Sequence, residues 1–268
     1  MDVSSIDKVR EGMNKAYTEH TAYAQTVPFD ARRHVDLMTR VEGMLWEAAD
    51  DFAHPVVADI GAGEGSLPAW LSKDARGDKL YRRWVYHAVD ISHVALATLR
   101  ERQAALCDRL HTHVSPAEEV VQSLVGACDV VVGVEAIEHW VDYHAGLRAI
   151  YQYLKPNGHL ILTTPNRDSL HARMHRKLGT VSPNVSHDHV HEFGWHELDD
   201  VVGEAGFALY GSGGAGFTPY WSLEGYIGHS IRPLTDSDED VNAWMSEIGR
   251  VAPEFAFCQI KHYRKVGP

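Results

Sequence analysis

Apolar residues recur at three- and four-residue intervals through "DKVREGMNKAYTEHTAYAQ" and "DARRHVDLMTRVEGMLWEAADDF", the spacing of side chains along one face of a helix. Residues 7–50 are therefore expected to form helices that cover some other part of the chain, with Asp30 as the N-cap of the second. The pattern then changes to short runs of Val, Ile and Ala alternating with helical spacing: "PVVADIG", "SLPAWLSKDA", "RRWVYHAVDIS", "VALATLRERQAAL", "LHTHVSP", "AEEVVQSLV", "CDVVVGVE", "YHAGLRAIYQYL" and "GHLILTTPN". Strands that are apolar along nearly their whole length are buried on both faces. Their alternation with amphipathic helices implies a parallel sheet covered on both sides, a doubly wound α/β domain.

A turn, Pro156-Asn157-Gly158, precedes the last of these strands. From Asn166 to about Asp188 the chain is polar and rich in His, Arg and Ser, which reads as a long loop or helical insertion. A helix resumes in "GWHELDDVVGEAGF", where Gly206 suits a C-cap. The glycine-rich, aromatic "ALYGSGGAGFTPYWSLEGYIGHS", an acidic linker and a strand-like "FAFCQIKHYRK" complete the chain. The organisation this suggests is a helical cap over residues 1–50 and one domain over 51–268, with insertions at about 167–190 and 216–250.

Composition narrows the function classes. A chain of 268 residues, 44% of them hydrophobic, is long enough to bury one large core. A formal net charge of −12 opposes broad attraction to a phosphate backbone, because such binding is mostly electrostatic. Cys107, Cys128 and Cys258 lie far apart without a CxxC pair, so neither a disulfide framework nor a cysteine zinc site is indicated. No run of 18 apolar residues occurs and the first residues are polar, so neither a membrane span nor a signal peptide is expected, and a cytoplasmic location is. Histidine is the unusual residue: there are 18, and His171, His175, His187, His189, His191 and His196 crowd one stretch.

The first strand, turn and helix, "VVADIGAGEGSLPAW", carry the first chemical signal. Asp59 is followed by Gly61, Gly63 and Gly65, which let the backbone turn sharply and approach a ligand beside a helix N-terminus. The third glycine comes too early for the dinucleotide fingerprint, and Asp59 and Glu64 would repel a pyrophosphate. A cationic ligand, such as a sulfonium with an amino-acid tail, suits them better. The next strand ends in Asp90, 25 residues after Gly65, where an acid can accept both ribose hydroxyls of an adenosine. The plain alternative for the glycines is an ordinary tight strand-to-helix turn.

Taken in order, "ADIGAGEG", "HAVDIS" and "CDVVVGVEAIEHW" resemble the motifs of the class I S-adenosylmethionine-dependent methyltransferases over about residues 55–210. The resemblance implies a mostly parallel, seven-stranded Rossmann-like sheet with N-terminal helices and a lid insertion. It implies S-adenosylmethionine as cofactor, held by Asp59, Gly61, Ala62, Gly63, Asp90, Ile91 and Glu135, with adenine contacts after the third strand at Ala117 and Glu118. A solvated helix N-terminus, where the dipole favours acids, explains "SPAEEV" equally well. "EAIEH" narrows the match to two groups with a Glu-x-x-Glu-His motif, the small-RNA 3′-terminal ribose 2′-O-methyltransferases and the ubiquinone-pathway O-methyltransferases. Both are linked to a divalent metal that holds substrate oxygens. "TTPN" and the downstream "HEFGW", beginning at His191, are similar to the RNA-modifying group.

The end of the fourth strand makes chemical sense on its own. Glu135 stands at the carboxyl edge of the sheet, where open α/β folds bind ligands, and Glu138 and His139 follow within one helical turn. The expected metal ligands are Glu135, Glu138, His139 and His191, His191 being preferred over His189, for magnesium or manganese. Such an ion lowers the pKa of a bound hydroxyl, and an imidazole of His139, His187 or His189 takes the proton. The bland alternative is that Glu135 touches only cofactor or substrate, His139 packs on the next helix, and the histidine-rich insert is a solvated lid. Phe217, Tyr220, Trp221 and Tyr226 read as a small-molecule pocket wall, a base-stacking platform or ordinary core.

The expected function is metal-assisted methyl transfer from S-adenosylmethionine to a hydroxyl of a small-molecule acceptor. Two alternatives stand beside it. One is 2′-O-methylation of an RNA 3′ end, for which Arg167, Arg173, Arg176 and Lys177 form the local basic cluster. The other is an inactive, cofactor-binding regulatory subunit. Pattern carries no signal for the acceptor or the oligomeric state.

Overall fold

The apolar runs that alternate with helical spacing do become strands of one sheet. The computed structural model describes residues 3–19, 28–73, 83–179, 188–216 and 246–267. Strands β1 (Val56–Ile60), β2 (Val85–Asp90), β3 (Leu110–Val114), β4 (Cys128–Val134), β5 (Leu154–Pro165), β6 (Phe207–Ala215) and β7 (Cys258–Lys265) lie in the order β3-β2-β1-β4-β5-β7-β6. All run in one direction except β7, which is antiparallel to both β5 and β6. The resulting seven-stranded, mostly parallel sheet is the Rossmann-like architecture expected.

Helices α1 (Val3–Glu19), α2 (Pro28–Ala49), α3 (Ser66–Leu71), α4 (His93–Arg102), α5 (Tyr143–Tyr153), α6 (Leu170–Leu178) and α7 (Trp195–Glu204) accompany the sheet. On one face, Leu37, Met38, Val41, Leu45 and Ala48 of α2 join Leu96 and Leu99 of α4 against Val57, Tyr86, Val130, Val132 and Ile260. On the other, Leu147 and Ile150 of α5 and Leu198 and Val202 of α7 pack on Ala58, Ile60, Val131, Leu160 and Leu162. Leu45 is fully buried, so truncating it to alanine costs about 2–5 kcal/mol. The two N-terminal helices thus have different partners: α2 belongs to the core under the sheet, whereas α1 lies against α4 and the first glycine turn.

Three local expectations are revised. Helix α2 starts at Pro28, whose fixed φ suits the first helical position, so Asp30 lies inside the first turn and is not its N-cap. The stretch "AEEVVQSLV" forms no α-helix, only a 3₁₀ turn at Gln122–Leu124. Side chains from afar satisfy its polar groups instead: the Tyr153 hydroxyl donates to the Glu119 carbonyl at 2.9 Å and accepts from the Val121 N–H at 2.9 Å. Finally, the Pro156-Asn157-Gly158 turn is an irregularity inside β5, where Asn157 takes φ +61° and the register with β4 jumps from Leu154 to His159.

Gly206 follows the C-cap Ala205 of α7 with φ +96°, the left-handed conformation that ends a helix. His187 and the aromatic residues Phe217, Tyr220, Trp221 and Tyr226 lie outside the described residues. No helix among the described residues is long and apolar enough to cross a membrane.

Candidate active site

The strand order puts the carboxyl ends of β2, β1 and β4 side by side. After β1 the chain turns through Gly61 (φ +78°) and Gly63 (φ +53°) into α3. The N–H groups of Gly61 and Ala62 donate to the Val89 carbonyl at 2.8 and 3.2 Å, pinning the turn against β2. A Cβ on Gly61 would stand 2.7 Å from the Ala136 Cβ, and one on Gly63 would stand 2.9 Å from the Tyr17 hydroxyl. At Gly61 a side chain is excluded on steric as well as conformational grounds, whereas at Gly63 the neighbour is the end of the Tyr17 side chain and the positive φ is what calls for glycine.

Asp90, buried at the tip of β2, accepts from Gly63 N–H through Oδ2 and from Ser92 N–H through Oδ1, each at 2.8 Å. Each oxygen keeps lone-pair capacity for one more donor, which is what a pair of ribose hydroxyls requires. Burial raises the Asp90 pKa, opposed by those two N–H groups. Asp59 is buried behind it and accepts from the Tyr86 hydroxyl at 2.6 Å. Burial pushes its carboxyl up to about 7, with Asp90 adding to the rise and the Tyr86 hydroxyl opposing it. The cradle fits an adenosyl group with a cationic tail: paired hydroxyl acceptors, side-chain-free backbone and a second acid held in reserve.

The other cofactor-side candidates divide. Ile91 is half-buried beside Asp90, and the Ser115 N–H donates to the Asp90 carbonyl at 3.0 Å, bringing the segment after β3 to the same place. Ala117 packs on the second core. Glu118 accepts from the Val141 and Asp142 N–H groups at 2.8 and 3.3 Å, so it ties this segment to the start of α5. Glu64 pairs with Arg102 at 2.7 Å. Two residues of α1 were not foreseen: Asn14 accepts from the Ser92 hydroxyl at 2.8 Å, and Tyr17 stands over Gly63. Nothing in the helical pattern of α1 distinguishes them.

At the end of β4, Glu135 takes φ +49°, a strained conformation for a residue with a side chain. Its N–H donates to the Thr163 hydroxyl at 2.9 Å, and its carboxylate accepts from Thr163 at 3.0 Å and from the Cys258 thiol at 3.3 Å. One 3₁₀ turn, Ile137–His139, follows. Glu138 is fully buried and accepts from the Thr164 hydroxyl at 2.9 Å. Its backbone carbonyl accepts from the Val190 and His191 N–H groups at 2.7 and 3.1 Å, which fastens the "DHVH" segment, Asp188 to His191, across the strand end.

That docking gathers the metal-loving groups. His139 donates through Nδ1 to the Asp188 carbonyl at 3.1 Å, and His189 donates through Nδ1 to Glu192 at 3.2 Å. Both hydrogen bonds favour the tautomer whose Nε2 is the free acceptor. The two rings meet edge to face at 5.0 Å. Burial lowers the His139 pKa, opposed by Asp188. Among the described residues, donor atoms of Glu138, His139 and His189 lie within 4.8 Å of one another, close enough to share an ion.

Two of the four expected ligands, Glu135 and His191, are outside this cluster, although Glu135 lies near enough to His139 to act on its charge. The His191 ring donates to Glu197 at 2.9 Å and packs against Phe193, and Glu135 is engaged by Thr163 and Cys258. The basic cluster is also engaged within the chain: Arg167 pairs with Glu197 at 2.6 Å, Arg173 donates to the Asp168 carbonyl at 2.7 Å, and Arg176 donates to the Arg167 carbonyl at 2.6 Å.

Comparison with known proteins agrees with this geometry. Residues 29–211, more than half of the chain, match a family model described as a methyltransferase domain. The ubiquinone biosynthesis O-methyltransferase of Acinetobacter baumannii (strain SDF) is 26% identical over 200 residues, covering 69% of this chain and 81% of that protein. The mitochondrial enzyme of the same name from Bos taurus is 23% identical over 138 residues, covering 48% of this chain but only 37% of its own length. The match to the Pseudomonas aeruginosa (strain LESB58) enzyme, at 30% identity, likewise covers 45% of that protein, so the chain spans less than half of several of these relatives. Among solved structures, magnesium protoporphyrin IX methyltransferase from Synechocystis PCC 6803 superposes with a TM-score of 0.61 at 15% identity, over 97% of this chain and 99% of that one. A possible histamine N-methyltransferase from Thermotoga maritima gives 0.57 at 17%, over 87% and 89%. At such identities these structures speak to the fold alone. A glycine cradle backed by two buried acids, on a sheet with one antiparallel strand and under a matching family model, makes this chain a member of the class I S-adenosylmethionine-dependent methyltransferases.

Proposed function

We propose that the enzyme moves the methyl group of S-adenosylmethionine to a hydroxyl oxygen of a small-molecule acceptor, at a site where Glu138, His139 and His189 hold a divalent metal. The observation that carries this reading is the convergence of those three donors at the carboxyl end of β4, one strand away from the cradle. The relatives named as ubiquinone biosynthesis O-methyltransferases support oxygen as the accepting atom.

S-adenosylmethionine, when bound, supplies a methyl on an already activated sulfonium, so the protein's part is positioning and exclusion of water. Asp90 accepts the ribose hydroxyls, Asp59 faces the cationic tail, and the bare turn at Gly61 and Gly63 lets the ligand approach the backbone. Thr163 and Cys258 hold the Glu135 carboxylate at the boundary between cofactor and acceptor. A divalent ion would supply a Lewis acid that orients and acidifies the acceptor hydroxyl. One carboxylate and two imidazoles suit manganese better than magnesium, which prefers an all-oxygen shell. Where no ion is bound, the Nε2 atoms of His139 and His189 are the groups able to take the hydroxyl proton.

The RNA alternative has less support, because Arg167, Arg173 and Arg176 are occupied in holding their own loop. The test is transfer of labelled methyl to catechol- and phenol-type acids and, separately, to a short RNA with a free 3′ end, each with and without chelator. Label in the small molecules, lost with chelator and restored by Mn²⁺, is the expected result. Label in the RNA alone would overturn the acceptor assignment, and small-molecule transfer indifferent to chelator would overturn the metal.

A further inference from the structure

A second histidine group stands away from this site, at the β3 edge of the sheet. β3 is an edge strand, and its register with β2 sets His87 opposite His111 and Val89 opposite His113. Residues two apart on a strand share a face, so His87, His111 and His113 stand together. Val89, on the same face, belongs to the second core with Leu124, Ala117, Val120 and Val121 from the segment after β3. That segment forms only a short 3₁₀ turn, so no helix among the described residues covers the outer part of this face. His87 and His113 are half-buried and His111 is exposed.

The rings are ordered against one another. His87 Nδ1 lies 3.0 Å from His113 Nε2. The His87 ring stacks on His111 at 4.8 Å with 24° between planes, and on His113 at 5.3 Å with 23°. Among the described residues, no carboxylate forms an ion pair with any of the three. With metal–nitrogen bonds of ~2.0–2.1 Å, two imidazoles on one ion sit ~2.9 Å apart at a right angle and ~3.4 Å apart at the tetrahedral angle. The observed 3.0 Å falls between these limits.

We propose that His87 and His113, with His111 as a third donor, form a binding site for a transition-metal dication of the Zn²⁺, Ni²⁺ or Cu²⁺ type. The first two ligands already stand at chelating distance, and the ion takes the place of the proton shared between them. The displaced proton moves, through exchange with solvent, to the other nitrogen of the ring that donated it, so both ligands bind as neutral imidazoles. His111 completes the set by swinging its exposed ring off the stack. An all-imidazole donor set selects these ions over Mg²⁺ and Ca²⁺, which require oxygen, and so separates this site from the one containing Glu138. An ion here fastens edge strand β3 to β2 three residues before Asp90. It thereby holds the Ser115–Glu118 segment, whose Ser115 N–H already bonds the Asp90 carbonyl at 3.0 Å.

The test is calorimetric titration of the full chain with Zn²⁺, repeated on His87→Gln/His113→Gln and on Glu138→Gln/His189→Gln. Because one carboxylate and two imidazoles also hold Zn²⁺, wild type is expected to take two equivalents. The one that remains in Glu138→Gln/His189→Gln belongs to the site proposed here; it falls in affinity at least about tenfold in the first variant, and His111→Gln weakens it less. Imidazole proton resonances of the wild type give a readout that does not depend on the variants folding: those of His87 and His113 are expected to shift within the first two equivalents. Zn²⁺ binding unchanged in His87→Gln/His113→Gln, or two equivalents that leave both resonances in place, would overturn the proposal.

Discussion

The two halves of the active site are put together in different ways. On the cofactor side the decisive contacts join neighbours in sequence: Gly63 to Asp90 and Asp59 to Tyr86, each 27 residues apart, within one strand–helix–strand unit. On the acceptor side they join distant segments, His139 to Asp188 across 49 residues and Glu135 to Cys258 across 123. The cradle is thus made by the same hydrogen bonds that close its own supersecondary unit. The metal-type cluster exists only when a loop docks two N–H groups on the Glu138 carbonyl. Local construction favours a rigid, preorganised cofactor site, and long-range docking favours an acceptor site that adjusts and that differs among enzymes sharing the cradle.

Separability is what this contrast predicts, and the strongest challenge to it is Asp90→Ala. Removing a carboxylate that would accept two ribose hydroxyls, each charge-assisted bond being worth about 1.5–3 kcal/mol, is expected to weaken S-adenosylhomocysteine binding at least about a hundredfold by calorimetry. Glu138→Gln is the counterpart on the other side. It is expected to lower kcat about a hundredfold while cofactor affinity stays within about twofold, because its contacts are Thr164 and the histidine loop rather than the cradle. Equal losses of cofactor affinity in both variants would show that the halves are not independent.

Gly61→Ala sharpens the point within the cradle. Its φ of +78° and a Cβ 2.7 Å from Ala136 predict strain of about 1–2 kcal/mol and roughly tenfold weaker cofactor binding, with the Mn²⁺ response of the acceptor half unchanged. The smallest expected effect is on pH dependence. With Asp59 raised to about 7, its carboxyl is protonated in the free enzyme below that value and ionised above it. A cationic ligand tail favours the ionised form, so cofactor affinity is expected to fall as pH drops below about 7, by at most about tenfold per unit. Asp59→Asn is expected to flatten that slope, and a wild-type profile flat from pH 8 to pH 5 would contradict the assignment.

The same contrast explains what the sequence made legible. Asp59, Gly61, Gly63 and Asp90 announce themselves because positive φ and close approach demand glycine, and because strand, turn and helix occupy adjacent stretches. The choice between His189 and His191 was not legible. Only one residue lies between the two, with no local pattern to separate them, and what distinguishes them is that Glu197 engages His191 while Glu192 orients His189. The helix expected over "AEEVVQSLV" failed for a related reason: Tyr153 and the Glu118 side chain, acting across more than 20 residues, supply hydrogen bonds that a single-segment pattern cannot contain. Tyr17 and Asn14 share this character, since their role depends on where α1 lands.

The central claim is that Glu138, His139 and His189, and not His191, form the acceptor-side metal site. Mn²⁺ binding measured by electron paramagnetic resonance on His189→Ala and His191→Ala tests it most directly, because Mn²⁺ discriminates against an all-imidazole site. The account predicts binding weaker by about 10–100-fold in His189→Ala and within about threefold of wild type in His191→Ala. The reverse order, or Mn²⁺ binding untouched by either change, would contradict it.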